Sequence, residues 1–417
     1  MLVVFLLFLV SEVFAGPLRY YLAGQGAVFL FYTPKLIILV ILLRCFIEML
    51  TEERTATVLA TVFAVFGAYL AIGMYFTRSP AQVAFGGVVL IPFVFAVAAG
   101  PALRRFGERT VPYAAFLWLC VGSGILFDFV GDAPWSGQTY QLAGVELVAS
   151  REWTTFSWER PAGFARASYA AATQALFLSL AIVVLGRWSI ALKLLVWAAT
   201  GAMIVLTTTK TVGGVYAVLT VVVPLLKFEI VPFAIQRVCT KALPIVAAAI
   251  GVALPLTVLF VEYDVRNWAG SLLLFSVGMR LTDVWPQTFE LVKEHGSIVL
   301  GRGIGGIGTA QKLFEPQLAT PADNLYLFLY ALFGLPALIF VAAYVARIVR
   351  LRPQSNRWEE FLWLLATGAL IIGWTMNCLE EVFIATGLGL SLAYPFRSHS
   401  SASLAASQPT SKSAVCS

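Results

Sequence analysis

The sequence predicts an all-α, polytopic membrane protein, and three observations carry that prediction. The 417-residue chain is 60% hydrophobic and 12% charged, with a mean hydropathy of +0.86, whereas soluble domains carry roughly 25% charged residues. Its apolar runs approach the ~20 residues a helix needs to cross a hydrocarbon core. They do not alternate in polarity, which favours helices over the ~10-residue alternating strands of a barrel, the other architecture that satisfies its backbone in lipid.

Taken in order, residues 1–18 are apolar and lack a basic leading segment. Val13-Phe14-Ala15 matches a signal-peptidase site, but the stretch is expected to be a first membrane helix. Further runs cover about 34–49, 55–76, 82–100 and 111–130. A polar excursion over 131–166 precedes runs near 167–186, 189–208, 212–226 and 241–261. A long loop over 262–322 follows, then runs near 323–346, 360–378 and 381–396. These make about twelve spans in one membrane domain, 1–396. The Ser- and Ala-rich stretch 397–417 is expected to be a disordered tail.

Basic residues set the orientation, because short cytoplasmic loops are enriched in Lys and Arg. One set of loops holds Arg44, Arg54, Arg104, Arg105, Arg109, Arg187, Lys193, Lys227, Arg237, Lys241, Arg347, Arg350, Arg352 and Arg357, and the tail adds Arg397 and Lys412, 16 in all. The short loops opposite hold Arg19, Lys35, Arg78 and Lys210, which is 4. The first set is expected inside, with both termini cytoplasmic and the loops 131–166 and 262–322 outside. The net charge of +6 forms no basic block, so nucleic acid is not an expected partner. Cys45, Cys120, Cys239, Cys378 and Cys416 are scattered singly, which supports neither a metal site nor a disulfide framework. Ionisable residues within spans are scarce, with Glu12 and Asp128 near span ends, which argues against an ion-coupled transporter.

The polar chemistry gathers in the outward loops. Arg160-Pro161-Ala162-Gly163-Phe164 ends the first of them, where Arg160 serves either as an interfacial anchor or as an anion ligand. Thr207-Thr208-Thr209-Lys210-Thr211 joins two apolar runs with almost no loop and sets Lys210 among hydroxyls, a phosphate-binding combination as much as an anchor. From Arg280, Leu281, Val284, Trp285, Phe289 and Val292 share one helical face while Asp283, Glu290 and Lys293 take the other. Such a helix can lie on a bilayer, with Trp285 at the interface or stacked on a sugar ring. Gly301-Arg302-Gly303-Ile304-Gly305-Gly306-Ile307-Gly308 is either a hinge or a backbone nest for an anion, with Arg302 inside it. No Gly-Lys-Ser/Thr follows, so it is not a phosphate-binding P-loop. Asp323-Asn324 starts the next run after Pro321, a helix cap, an acid beside the arginines, or both.

These pieces occur in one order: Arg-Pro-x-Gly-Phe, a Thr-rich turn with a cation, Arg280 with Trp285, the glycines 301, 303, 305, 306 and 308, and Asn324-Leu325-Tyr326-Leu327. In that order they resemble the O-antigen ligase and polysaccharide polymerase superfamily of bacterial membrane glycosyltransferases, over roughly 110–350. The resemblance implies a GT-C-like enzyme without cofactor or metal, in the bacterial inner membrane. Its donor is a glycan on undecaprenyl diphosphate, displayed at the periplasmic face. Arg160, Arg280 and Arg302 are matched to the diphosphate ligands, and Lys210, Gly303 and Gly305 are expected to assist them. Asp323 is the expected general base and Trp285 the sugar-stacking residue. Lys210 stands where the family more often has Arg, and Asp323 where ligases have His. These departures move the expectation from a ligase to an exopolysaccharide polymerase of the xanthan type, with chain-length regulators and export proteins as partners. A flippase or polysaccharide exporter is the alternative from another class, and it predicts cations deep in the bundle rather than at one surface.

Overall fold

The computed structural model describes residues 1–50, 53–142, 145–155, 158–227, 232–265 and 274–393. The protein is 75% helix and 4% strand. Val28–Glu48, Pro80–Val130, Ser168–Leu185 and Phe233–Leu259 are long and apolar enough to cross a membrane, and the bent pair Leu2–Val13 with Ala15–Gly24 brings the number to as many as five. The outer surface agrees: Leu36, Leu39, Val40 and Leu43 on one helix, and Leu194, Leu195 and Val205 on another, are exposed. Contiguous apolar surface of that kind suits lipid rather than water. The tail 397–417 lies outside the described residues.

In chain order the helices are α1 (Leu2–Val13), α2 (Ala15–Gly24), α3 (Thr33–Leu50), α4 (Glu53–Thr77), α5 (Pro80–Val89), α6 (Ile91–Phe106) and α7 (Val111–Val130). Then come α8 (Ser168–Leu185), α9 (Ile190–Leu206), α10 (Lys210–Lys227) and α11 (Phe233–Leu256). Most apolar runs of the sequence reappear as helices within a few residues, and α11 starts earlier than its run, at Phe233. The first run is not one straight helix: α1 and α2 meet at 79°. α8 forms the centre, with every residue but Tyr169 buried. Its alanines, with the glycines of α6 and of α18 (Val382–Ala393), let backbones approach closely, the way helices associate without a hydrophobic driving force. A Cβ on Gly389 would stand 2.3 Å from Phe93 O.

The run predicted over 323–346 is broken into α15 (Leu325–Phe333) and α16 (Pro336–Val349). Gly334 sits between them at φ +63 and Pro336 begins α16 without a backbone donor. Before the break, α12 (Phe275–Met279) runs through a π-turn (Arg280–Val284) into α13 (Trp285–His295), and α14 (Thr309–Phe314) follows the glycines. The predicted amphipathic helix is thus present, but its apolar face is turned to the protein. Phe289 packs on Tyr330 at 5.8 Å, and α13 runs alongside α15 rather than lying open to a bilayer.

The loop 131–166 is a correction to an all-α reading. It holds two antiparallel hairpins, β1 (Thr139–Leu142) with β2 (Val145–Val148), and β3 (Thr154–Thr155) with β4 (Trp158–Glu159). A small core of Val28, Trp135, Tyr140 and Ala149 backs the first. At the opposite end of α7 and α8, Glu108 pairs with Arg187 and, at 3.5 Å, with Arg357 at the start of α17 (Arg357–Ile372). Three loops that the charge count assigns to one side therefore meet.

Candidate functional site

The site is built where the α9–α10 turn, α11, the start of α15 and the α17–α18 connection meet: Asn324 Nδ2 donates to Gly251 O, Thr211 pairs with Thr375, and Arg160 reaches Thr209. Arg280 opens the π-turn, an irregularity that often marks function. Its Nη1 donates to Ser276 O at 2.7 Å, and its Nη2 lies 3.0 Å from Asp323 Oδ2. The cap of α15 is Asn324, not Asp323: Asn324 Oδ1 accepts from Leu327 N at 2.8 Å and its Nδ2 donates to Trp374 O at 3.0 Å. The two neighbouring residues therefore divide the roles of cap and acid. Burial pushes the Asp323 carboxyl above the usual range, against the pull of Arg280 and Arg151.

Arg160 is placed by a half-buried acid. Asp128 Oδ2 accepts from Ala162 N at 2.7 Å and Gly163 N at 2.8 Å, which pins the backbone just after Arg160. Gly163 has φ +61 and its Cα lies against Gly124, where a Cβ would meet backbone at 2.7 Å. Arg160 Nη2 donates to Thr209 Oγ1 at 3.3 Å, so the first outer loop touches the threonine turn. Lys210 begins α10 and feels the like charges of Arg160 and Arg280, while Asp323 feels Arg151. Of the four non-glycine residues with positive φ among the described residues, Thr208, Ala322 and Asp323 belong to this cluster. Each costs on the order of 1–3 kcal/mol, and strain of this kind gathers at functional sites.

Several residues escaped the sequence reading. Arg151 and Arg160 lie 5.9 and 5.5 Å from the ring of Trp153, which is 38% exposed. Burial lowers the Arg160 guanidinium, and burial together with Arg166 lowers that of Arg151. Arg166 sits among Tyr169, Glu380 and Glu12. Glu380 Oε1 accepts from Thr309 N at 2.6 Å, and burial raises its carboxyl, while burial pushes Glu381 up to about 8. The available signal was a Glu380-Glu381 pair in the tight connection between two apolar runs, the same signal that singled out Lys210.

Four expected site residues are placed elsewhere. Arg302 is 1% exposed and committed: its Nη2 pairs with Glu315 at 3.2 Å, its Nε donates to His295 O and its Nη1 to Gly306 O. Four of its five N–H donors are used within the protein, and at this depth it is out of reach of a diphosphate. The glycine run is buried throughout and is not an open nest. Gly303 N donates to Leu332 O at 3.0 Å, and Gly305 O accepts from Gln82 Nε2 at 2.9 Å. Arg302 N bonds Ala331 O, Tyr69 Oη bonds Phe333 O and Gly334 N bonds Tyr330 O. Together these satisfy the four carbonyls that α15 would otherwise leave orphaned where it breaks. Trp285 is fully buried, so it cannot stack on a sugar; the partly exposed aromatic of the cluster is Trp153. Arg160, Lys210, Arg280 and Asp323 are brought together.

No family model, no curated protein and no solved structure matches the chain.

Proposed function

We propose that this chain is a bacterial inner-membrane glycosyltransferase, an exopolysaccharide polymerase that moves glycan repeat units from undecaprenyl diphosphate to a lipid-linked acceptor glycan. The observation that carries the proposal is the convergence of Arg151, Arg160, Lys210 and Arg280 around Asp323, contributed by four separate parts of the chain. In the proposed topology the helices make twelve passes, with α15–α16 one broken pass, both termini in the cytoplasm and the cationic site at the periplasmic face.

In the proposed reaction an acceptor hydroxyl attacks the anomeric carbon of the donor sugar. The carbon–oxygen bond to the diphosphate breaks, and its electron pair leaves with undecaprenyl diphosphate. Arg160, Lys210 and Arg280 meet that developing charge from fixed positions, which requires no reorganisation at the moment of reaction. Asp323 takes the acceptor proton, and its raised affinity for protons suits that task. Arg280 orients Asp323 through their 3.0 Å ion pair. An exporter has less support, because the cations gather at one end of the bundle.

Gene deletion followed by glycan analysis tests the class. A polymerase leaves single repeat units on the lipid carrier. Full-length chains on the carrier, with none on lipid A, would identify a ligase instead. Repeat units trapped on the cytoplasmic leaflet would sink both and favour a flippase.

A further inference from the structure

At the other end of the bundle, α1, α6, α7, α8, α17 and α18 line a narrow apolar cleft of about 90 Å³. Leu9, Leu117, Leu178, Ala181 and Leu365 are among its walls, and Thr110, Thr386 and the indole of Trp358 bring polar atoms to it. Thr386 is 5% exposed and its Oγ1 is buried without a hydrogen-bond partner. Such a group is costly unless something fills the space beside it.

The cleft follows the helices. On α8 it runs from Phe177 to Leu185, about 12 Å at 1.5 Å per residue. Its end at Leu103, Thr110, Leu185 and Trp358 lies one or two residues from Arg104, Arg109, Arg187 and Arg357. Glu108 bridges Arg187 and Arg357, which remain 78% and 52% exposed at their side chains. The nearby Glu359 is turned away, accepting from Arg352 N and Asn356 Nδ2. The rim thus carries more positive than negative charge.

We infer that this cleft is a binding site for one anionic phospholipid, with an acyl chain lying along α8 and the phosphate held by the Arg187 and Arg357 rim. A chain parallel to the helices with a charged group at one end is the shape of a lipid. The surplus of arginine selects an anionic headgroup, because each Lys or Arg near a membrane surface contributes on the order of 1 kcal/mol of attraction to anionic lipid. The site is separate from the cationic cluster and does not depend on the proposed reaction.

The test is native mass spectrometry and lipid extraction of the full-length protein from membranes of phosphatidylglycerol and phosphatidylethanolamine. The wild type should retain one phosphatidylglycerol per chain. Ala181→Trp, which fills the cleft, should lose at least tenfold of that occupancy. The double variant Arg187→Glu/Arg357→Glu should keep the space but shift the bound ratio towards phosphatidylethanolamine by roughly tenfold or more. A monodisperse elution profile and an unchanged unfolding temperature certify each variant as folded; if Ala181→Trp fails that control, Leu178→Phe replaces it. Bound lipid at the membrane's own ratio in the wild type, or unchanged occupancy in a folded cleft-filling variant, overturns the proposal.

Discussion

Asp323 and Asn324 are adjacent, yet only Asn324 holds the helix; Asp323 holds Arg280. That division makes Asp323→Asn informative, since the cap survives it. The expected result is a loss of about 10²–10⁴-fold in transfer rate at unchanged protein level, the usual contribution of a general base. In the proposed reaction the base works as carboxylate, so the rate should fall as pH drops through its pKa. Because burial raises that pKa, the fall should begin above the ordinary range of about 3.9. A pH–rate profile checks both. Trp153 holds two arginines through its ring, contacts each worth about 0.5–2 kcal/mol. Trp153→Ala should therefore raise KM for the donor several-fold, with Trp153→Phe closer to wild type; steady-state kinetics separate the two. The four site residues that were legible from sequence each stand where a polar loop meets an apolar run. Arg302 and Trp285 stand in equally suggestive places. Their roles were illegible because burial depends on partners distant in sequence: for the first Glu315, itself held by Gln82, and for the second the packing of α13 on α15.

At the scale of elements, the segment 301–308 converts a helix break into a closed structure. Its glycines are there for close approach and for left-handed backbone rather than for an anion. A Cβ on Gly303, at φ +76, would stand 2.1 Å from Gly73 N, where backbone cannot move aside. Gly303→Ala should thus destabilise the fold by about 2 kcal/mol or more, from the positive-φ cost and the displaced helix. Gly87→Ala is the contrast: nothing lies within 4 Å and the residue is helical, so stability should hold or rise slightly. Thermal unfolding in detergent reads the difference. The helices themselves were legible because length and hydropathy report them. The break at Gly334 and the hairpins of the first loop were not, since the one depends on capping from as far as 264 positions away, Tyr69 to Phe333, and the other on a small core shared with Val28.

At the scale of the whole molecule, the chain has two chemically distinct ends. One gathers Arg151, Arg160, Lys210 and Arg280 about Asp323; the other joins Arg187, Glu108 and Arg357. Of these residues the charge count assigns Arg187 and Arg357 to one side and Lys210 to the other, because the sidedness of short loops is a one-dimensional property of the sequence. The central claim is that the first end performs glycosyl transfer by meeting diphosphate charge. Purified full-length protein in lipid, supplied with undecaprenyl-diphosphate-linked repeat units, tests it most directly through the rate of undecaprenyl diphosphate release coupled to chain growth. The account predicts release by the wild type and a fall of roughly 10²-fold or more in folded Arg160→Ala and Lys210→Ala. Wild-type rates from both variants would contradict it.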